Sequence, residues 1–178
     1  TMHQALLMRA KRNTQKCKGL KLRFIRSSSA SLPPAVFEEL NEIFGCPIVE
    51  AYGMTEATHQ MTSNPLGENM QKAGFVGIIT SPSVCIMDQQ GGQQQRGEEG
   101  EVCIKGDNVT PGYENNPEAN LASFTDGWFR TGDQGLIDND GYLKITGRLK
   151  EIINRGGEKI SPLEVDNVLM DHPAIQQV

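Results

Sequence analysis

No acidic residue occurs in the first 26 positions, which carry eight Lys and Arg; the other 152 hold nine basic side chains against twenty-two acidic ones, so a net charge of -5 hides strong asymmetry. A basic stretch of this kind can serve a polyanion, either nucleic acid or the phosphates of coenzyme A. It lacks the interleaved aromatics of a single-strand binder, so the preferred reading is a solvated helix end and loop, with no nucleic-acid partner expected. Aromatics are sparse, at 6%, yet 37% hydrophobic content in 178 residues still supports a core of ordinary density. Cysteine is equally sparse. Cys17, Cys46, Cys85 and Cys103 stand singly, which excludes the close pairs of a zinc site and the density of a disulfide scaffold, and fits a reducing compartment. No run approaches the roughly 18 apolar residues of a membrane helix, and the first residues lack the charged-then-apolar pattern of a signal peptide.

What is present reads as alternating helix and strand. Residues 1–12 are expected to be a helix already under way, residues 20–25 to alternate as a half-buried strand, and residues 27–31 to form a small-residue turn. A helix follows: Ser31 can cap it, Pro33 and Pro34 suit its first turn, and Val36, Phe37, Leu40, Ile43 and Phe44 share a face before Gly45 ends it. Pro47, Ile48 and Val49 read as a buried strand leading to Tyr52. From Gly74 to Gly147 short strands punctuated by glycine predict a β-rich section, including residues 84–87, 101–105 and 142–145, with Asp140-Gly141 as a tight turn. Residues 89–100 read as a polar loop without chemistry. Ser161-Pro162-Leu163-Glu164 has the form of a capping box opening a helix that runs to about Asp171, before His172 and Pro173.

Several strings could carry chemistry. Tyr52-Gly53-Met54-Thr55-Glu56 leaves a strand end, where open α/β sheets place ligands. There the Tyr ring offers a face to a base, glycine permits close backbone approach, and the Thr hydroxyl can donate to a phosphate oxygen. A carboxylate such as Glu56 beside phosphates implies an intervening cation, Mg²⁺. Taken alone, the pentapeptide would favour a capped strand-to-helix connection. In Thr131-Gly132-Asp133 one carboxylate has two acceptor oxygens, enough for both hydroxyls of a ribose, while a plain turn Asp is the alternative. Ser28-Ser29-Ala30 reads either as a polar pocket wall or as a Ser-rich turn. His59 is either a donor to a second carboxylate on the substrate or a histidine on a helix surface. Asp138, Asp140 and Gly141 mimic part of a calcium loop, but the first ligand would be Leu136 and the terminal acid Gly147, which excludes one.

In this order, Tyr52-Gly53-Met54-Thr55-Glu56, Thr131-Gly132-Asp133, Gly147-Arg148-Leu149-Lys150-Glu151 and Gly156-Gly157 resemble the adenylate-forming superfamily, the acyl-CoA synthetases and their relatives. The resemblance runs through nearly the whole chain. It implies an α/β fold: the C-terminal part of the large domain, as a mixed α/β layer (residues 1–73) and a β-rich, barrel-like subdomain (74–149), then a hinge and the start of the small C-terminal domain (150–178). It implies ATP and CoA as co-substrates, a small carboxylate as substrate and Mg²⁺ on Glu56. By the same resemblance, Thr55 and Glu56 act in catalysis, and Ser29, Ala30, Glu50, Ala51, Tyr52, Gly53, Met54 and Thr55 line the nucleotide. Asp133 and Arg148 hold the ribose, Lys150 is the hinge, and Gly156 and Gly157 lie beside the pantetheine tunnel. Asn154 departs from the basic residue of several relatives. The segments around Ser28-Ser29, Tyr52 to His59 and Asn154 to Pro162 most resemble the oxalate:CoA ligase branch of plants and fungi, with Ser28 and His59 as substrate contacts. The alternatives are a 4-coumarate or medium-chain acyl-CoA synthetase, or a non-catalytic nucleotide-binding fragment. The superfamily's Ser/Thr/Gly-rich phosphate loop ending in Lys, and its C-terminal Lys, find no match here. The chain is thus expected to be a middle segment, inactive alone, of a cytoplasmic or peroxisomal enzyme.

Overall fold

The computed structural model describes residues 2–172, 174, 175 and 178. Thr1, expected in the first helix, and Pro173, expected just past the last, lie outside the described residues. The elements in order are α1 (Met2–Lys11), α2 (Thr14–Cys17), β1 (Ile25–Ser27), α3 (Pro34–Phe44), β2 (Ile48–Tyr52), β3 (Thr62–Ser63) and β4 (Ile78–Ile79). They continue with β5 (Ser83–Met87), β6 (Gly100–Lys105), α4 (Pro117–Ser123), β7 (Phe124–Thr125), β8 (Trp128–Ile137), β9 (Leu143–Arg148), β10 (Ile153–Arg155), β11 (Glu158–Ile160) and α5 (Pro162–Met170). The class is α/β. β1 and β2 run parallel with α3 as the crossover, and β3 and β4 extend the sheet antiparallel in the order β1-β2-β3-β4. A second, antiparallel sheet has the order β5-β6-β8-β7, with β9 also paired to β8.

α3 forms as its periodicity predicts: Val36, Phe37, Leu40 and Phe44 are buried on one face, at about 1.5–3 kcal/mol for each large side chain. Pro34 occupies the first turn, and Gly45 ends the helix at φ 59°, a left-handed conformation that costs a residue with Cβ about 1 kcal/mol or more. Ser31 does not cap it; Pro33 stands at that position, and no side-chain cap is made. The strand expected over 20–25 begins only at Ile25, because pairing with β2 starts at Ile25 opposite Ile48. Upstream, Leu20 and Leu22 are exposed and pair with no strand among the described residues.

Two apolar clusters organise the molecule. Leu7, Leu32, Leu40 and Ile48 belong to one, between the helices and β1–β2; Val102, Ile104, Phe129 and Leu143 belong to the other, on the inner face of the second sheet. The sheets are stitched together where Val76 donates to the Leu143 carbonyl (2.9 Å) and Leu143 to that of Gly77 (2.8 Å). Asp138, excluded above as a calcium ligand, accepts from the backbone N–H groups of Asp140 and Tyr142 and pairs with Lys72. The capping box is a correction: Ser161 stands at the N-cap of α5, but its hydroxyl donates to the Thr146 carbonyl (2.6 Å) and ties the helix to β9. A tertiary acceptor has won over the local one.

Candidate functional site

β1 and β2 are parallel, so both end on the same side of the sheet and their following loops converge there. β8 and β9 place Asp133 directly opposite Arg148. Tyr52, the last residue of β2, reaches across to them: its hydroxyl donates to Asp133 Oδ2 at 2.5 Å while Arg148 Nε donates to Oδ1 at 2.8 Å. The Asp133 side chain is only 9% exposed, against 54% for Arg148, so the pair is anchored from its buried end. Burial, and then the Asp133 charge and hydrogen bond, push the Tyr52 hydroxyl far above its ordinary range, which keeps it a donor. The Asp133 bond likewise raises Arg148. Each Asp133 oxygen keeps a second lone pair, so the carboxylate can still accept two more hydrogen bonds.

Behind Asp133 lies a network that no motif signalled. Glu101 of β6 accepts from the Gly132 N–H at 2.9 Å through one oxygen and pairs through the other with Arg130 at 2.6 Å. Arg130 also donates to the Asp88 carbonyl and the Thr125 hydroxyl. The Thr131 hydroxyl donates to the Val102 carbonyl and accepts from the Asp133 N–H. Thr-Gly-Asp is therefore held on both sides within a strand, and Asp133 is not a turn residue. The one available hint was an acid near the start of β6, directly before the apolar Val102-Cys103-Ile104.

After β2 the chain makes a tight reversal. No helix follows, which corrects both the strand-to-helix connection and the helix-surface histidine: a single 3₁₀ turn spans Thr55–Ala57, and Thr58 and His59 both take positive φ (52° and 61°). Gly53 is required by this reversal, since a Cβ there would sit 2.2 Å from the His59 carbonyl oxygen; the close approach is to the protein's own backbone. Glu56 points toward α4's side of the site, where Oε1 accepts from the Tyr113 hydroxyl at 2.8 Å and its carbonyl accepts from the Thr110 N–H at 2.7 Å. Tyr113 is a second contact that sequence reasoning missed, because 57 residues separate it from Glu56.

Two cavities share this neighbourhood. The first, about 370 Å³, lies between the sheets and is lined by Ser29, Ala30, Glu50, Ala51, Tyr52, Gly53, Met54, Asp133 and Arg148 among others. The second, about 740 Å³, adjoins it through Ser29, Gly53, Met54 and Arg148 and adds Thr55, Glu56, His59, Tyr113 and Lys150. Ser28 lines neither; Ser29, at φ 74°, turns the chain so that it, and not Ser28, borders the cavity with His59. Gly156 and Gly157 also lie away from both. They form the two-residue tip of the β10–β11 hairpin, with φ of 60° and 97°, the conformation that such a turn demands. Asn154, beside them, accepts from the Gly157 N–H. Lys150 lies in the 3₁₀ turn Leu149–Glu151, between β9 and that hairpin. Among the described residues no group of three or more His, Cys, Asp or Glu could hold a metal ion. A single carboxylate at Glu56 still fits Mg²⁺, which commonly takes one or two carboxylates, water and substrate phosphates.

Residues 1–114 match the family model described as AMP-binding enzyme. An oxalate–CoA ligase of Arabidopsis thaliana is 54% identical over 99% of this chain and 34% of its own length. An oxalate–CoA ligase of Saccharomyces cerevisiae is 52% identical over 88% of the chain and 29% of its own length. Among solved structures, o-succinylbenzoate CoA synthetase of Bacillus subtilis, in complex with its acyl-adenylate intermediate, superposes with a TM-score of 0.82 at 36% identity, over 98% of this chain and 36% of that one. The chain thus spans about a third of the length of the relatives it matches.

Proposed function

Because the chain belongs to the AMP-binding enzyme family, we propose that it is the nucleotide-binding middle of an ATP-dependent acid:CoA ligase whose acid is oxalate. The supporting observation is the Asp133 carboxylate, held by Tyr52 and Arg148 at the wall of a cavity between two strand ends. In this reading the substrate carboxylate attacks the α-phosphate of ATP, giving an acyl-adenylate and pyrophosphate, and the CoA thiol then attacks the acyl carbon, releasing AMP. Asp133 accepts from the two ribose hydroxyls, the Tyr52 ring lies along the base, and Ser29 and Ala30 form the opposite wall. Thr55 donates to phosphate. Glu56, positioned by Tyr113, would hold Mg²⁺, which supplies neutralisation of phosphate charge. The residues contribute mainly positioning and charge stabilisation. The division into residues 1–73, 74–149 and 150–178 is part of this proposal, as is a cytoplasmic or peroxisomal location.

The acid's second carboxylate needs donors, because a charge left unpaired in a desolvated site costs several kcal/mol. His59 and Ser29 line the larger cavity and offer them. In the full-length protein, pyrophosphate release should be faster with oxalate than with hexanoate or 4-coumarate. His59→Ala should reduce oxalate activation about tenfold or more, the worth of one charged hydrogen bond, with little change in ATP affinity. Better activation of hexanoate or 4-coumarate by the unmutated protein would move the substrate to those classes.

Lys150 is proposed as the hinge, with Gly156 and Gly157 brought toward the CoA channel when it turns. Proline at 150 locks φ near -65° and should slow thioester formation about tenfold while adenylate formation survives. Single-turnover assays of the two half reactions would separate these steps. Equal loss of both would remove Lys150 from the hinge.

A further inference from the structure

Glu50 is a buried acid with no counter-ion among the described residues. It lies on β2 two residues before Tyr52, is 3% exposed, and accepts the Leu32 N–H on Oε1 at 3.1 Å. Its other oxygen is buried with no hydrogen-bond partner among the described residues. The bond to Leu32 spans the opening between β2 and the loop after β1, the loop that carries Ser29 and Ala30 into the first cavity. That loop holds Ser29 at φ 74°, a conformation costly for a residue with Cβ, so something outside the loop must impose it. The other titratable groups lining the cavity do not neutralise Glu50. Tyr52 and Arg148 are bonded to Asp133, and the Lys144 ammonium of β9 lies over the Phe75 ring, 5.9 Å from its centroid. The loop after β1, α3 and α5 present no titratable side chain to the cavity.

We propose that Glu50 is a positioning residue that works as an uncharged latch: its neutral carboxyl fastens the residue 29–32 wall to β2 and thereby sets nucleotide affinity. This rests on the nucleotide reading of the cavity given above. Ionisation would place an unpaired negative charge on the orphaned oxygen, and the wall must then loosen to let water reach it. Burial is the main cause that pushes the carboxyl up to about 7 from an ordinary 4.5, with the Leu32 hydrogen bond opposing it. The raised value fixes the sign. The fold prefers the protonated form, so the stabilisation is complete below the ordinary carboxyl range and is lost as pH rises through about 7. The latch is therefore closed in mild acid and released in mild base.

Two measurements on the full-length protein test this, each on the unmutated protein, Glu50→Gln and Glu50→Ala. In the first, AMP affinity is read by calorimetry from pH 5.5 to 8.5. The AMP phosphate titrates in the same range, and the Gln variant subtracts that contribution because its amide stays neutral. The unmutated protein should lose about two- to tenfold more affinity than Glu50→Gln across that range, while Glu50→Ala should be about two- to tenfold weaker at the acid end. Identical pH profiles for the unmutated protein and Glu50→Gln, or a Gln variant as weak as Ala, would overturn the latch. The second measurement needs no nucleotide: amide hydrogen exchange over residues 28–34 at pH 6 and pH 8, compared between proteins at each pH. Faster exchange of the unmutated protein than of Glu50→Gln at pH 8, but not at pH 6, is the expected result. Equal exchange at both values would sink the latch whatever binds. Exchange that follows the latch in a protein that does not bind AMP would leave it standing and overturn only the nucleotide reading.

Discussion

Asparagine at position 133 should weaken ATP and AMP alike by about 10- to 150-fold, the worth of losing one charged hydrogen bond of about 1.5–3 kcal/mol. The geometry says why the isosteric amide fails. Both Asp133 oxygens already accept, from Tyr52 and from Arg148, and both are needed again for a ribose. An amide has one oxygen: turned toward Arg148, its NH₂ meets a guanidinium that can only donate, and turned toward Tyr52 it leaves one oxygen where a ribose needs two acceptors. Calorimetric titration with each nucleotide distinguishes the roles. If AMP affinity holds while ATP affinity falls, Asp133 acts near the phosphates and the ribose assignment fails. Tyr52→Phe, which keeps the ring and removes one of the two donors, should reproduce only part of the loss.

Alanine at position 101 should destabilise the protein by about 3–5 kcal/mol, the usual result of removing one partner of a buried ion pair. Arg130 would be left with its charge uncompensated, its side chain only 18% exposed, and the Gly132 N–H would lose its acceptor. The penalty belongs to the stranded arginine more than to the lost contact. A double replacement of Glu101 and Arg130 by methionine should therefore recover much of the stability while still loosening Thr131-Gly132-Asp133. Urea unfolding of the single and double variants reads the first effect, and AMP affinity reads the second. A Glu101→Ala protein within about 1 kcal/mol of the unmutated one would show that the pair does not hold this strand.

The candidate site was legible in the sequence only in part, and the misses share a cause. Tyr52, Glu56, His59, Asp133, Arg148 and Lys150 were singled out as strings, and the fold brings them onto two adjoining cavities. Ser28 was singled out with them and lies on neither, because the positive φ of Ser29 decides which way that loop faces, and nothing in a run of serines specifies it. Glu101, Arg130 and Tyr113 were passed over. Each acts through a partner far along the chain: 31 residues separate Glu101 from Gly132, and 57 separate Tyr113 from Glu56. Ser161 shows the same limit at a helix end, where a carbonyl 15 residues away took the hydroxyl that a local cap would have used.

The sequence by itself determined what depends on neighbours within a turn or two: the apolar face of α3, its proline start and glycine stop, the strands β5 and β6, and the tight turn at Asp140-Gly141. These follow from side-chain periodicity and allowed backbone angles, which any window of a dozen residues already contains. Only the tertiary structure decided where β1 begins, that Glu50 is buried with one of its own oxygens orphaned, and that Tyr52 meets Asp133 across 81 residues. Those outcomes depend on sheet register and on the desolvation of particular atoms. Register and desolvation arise only when distant segments close on one another.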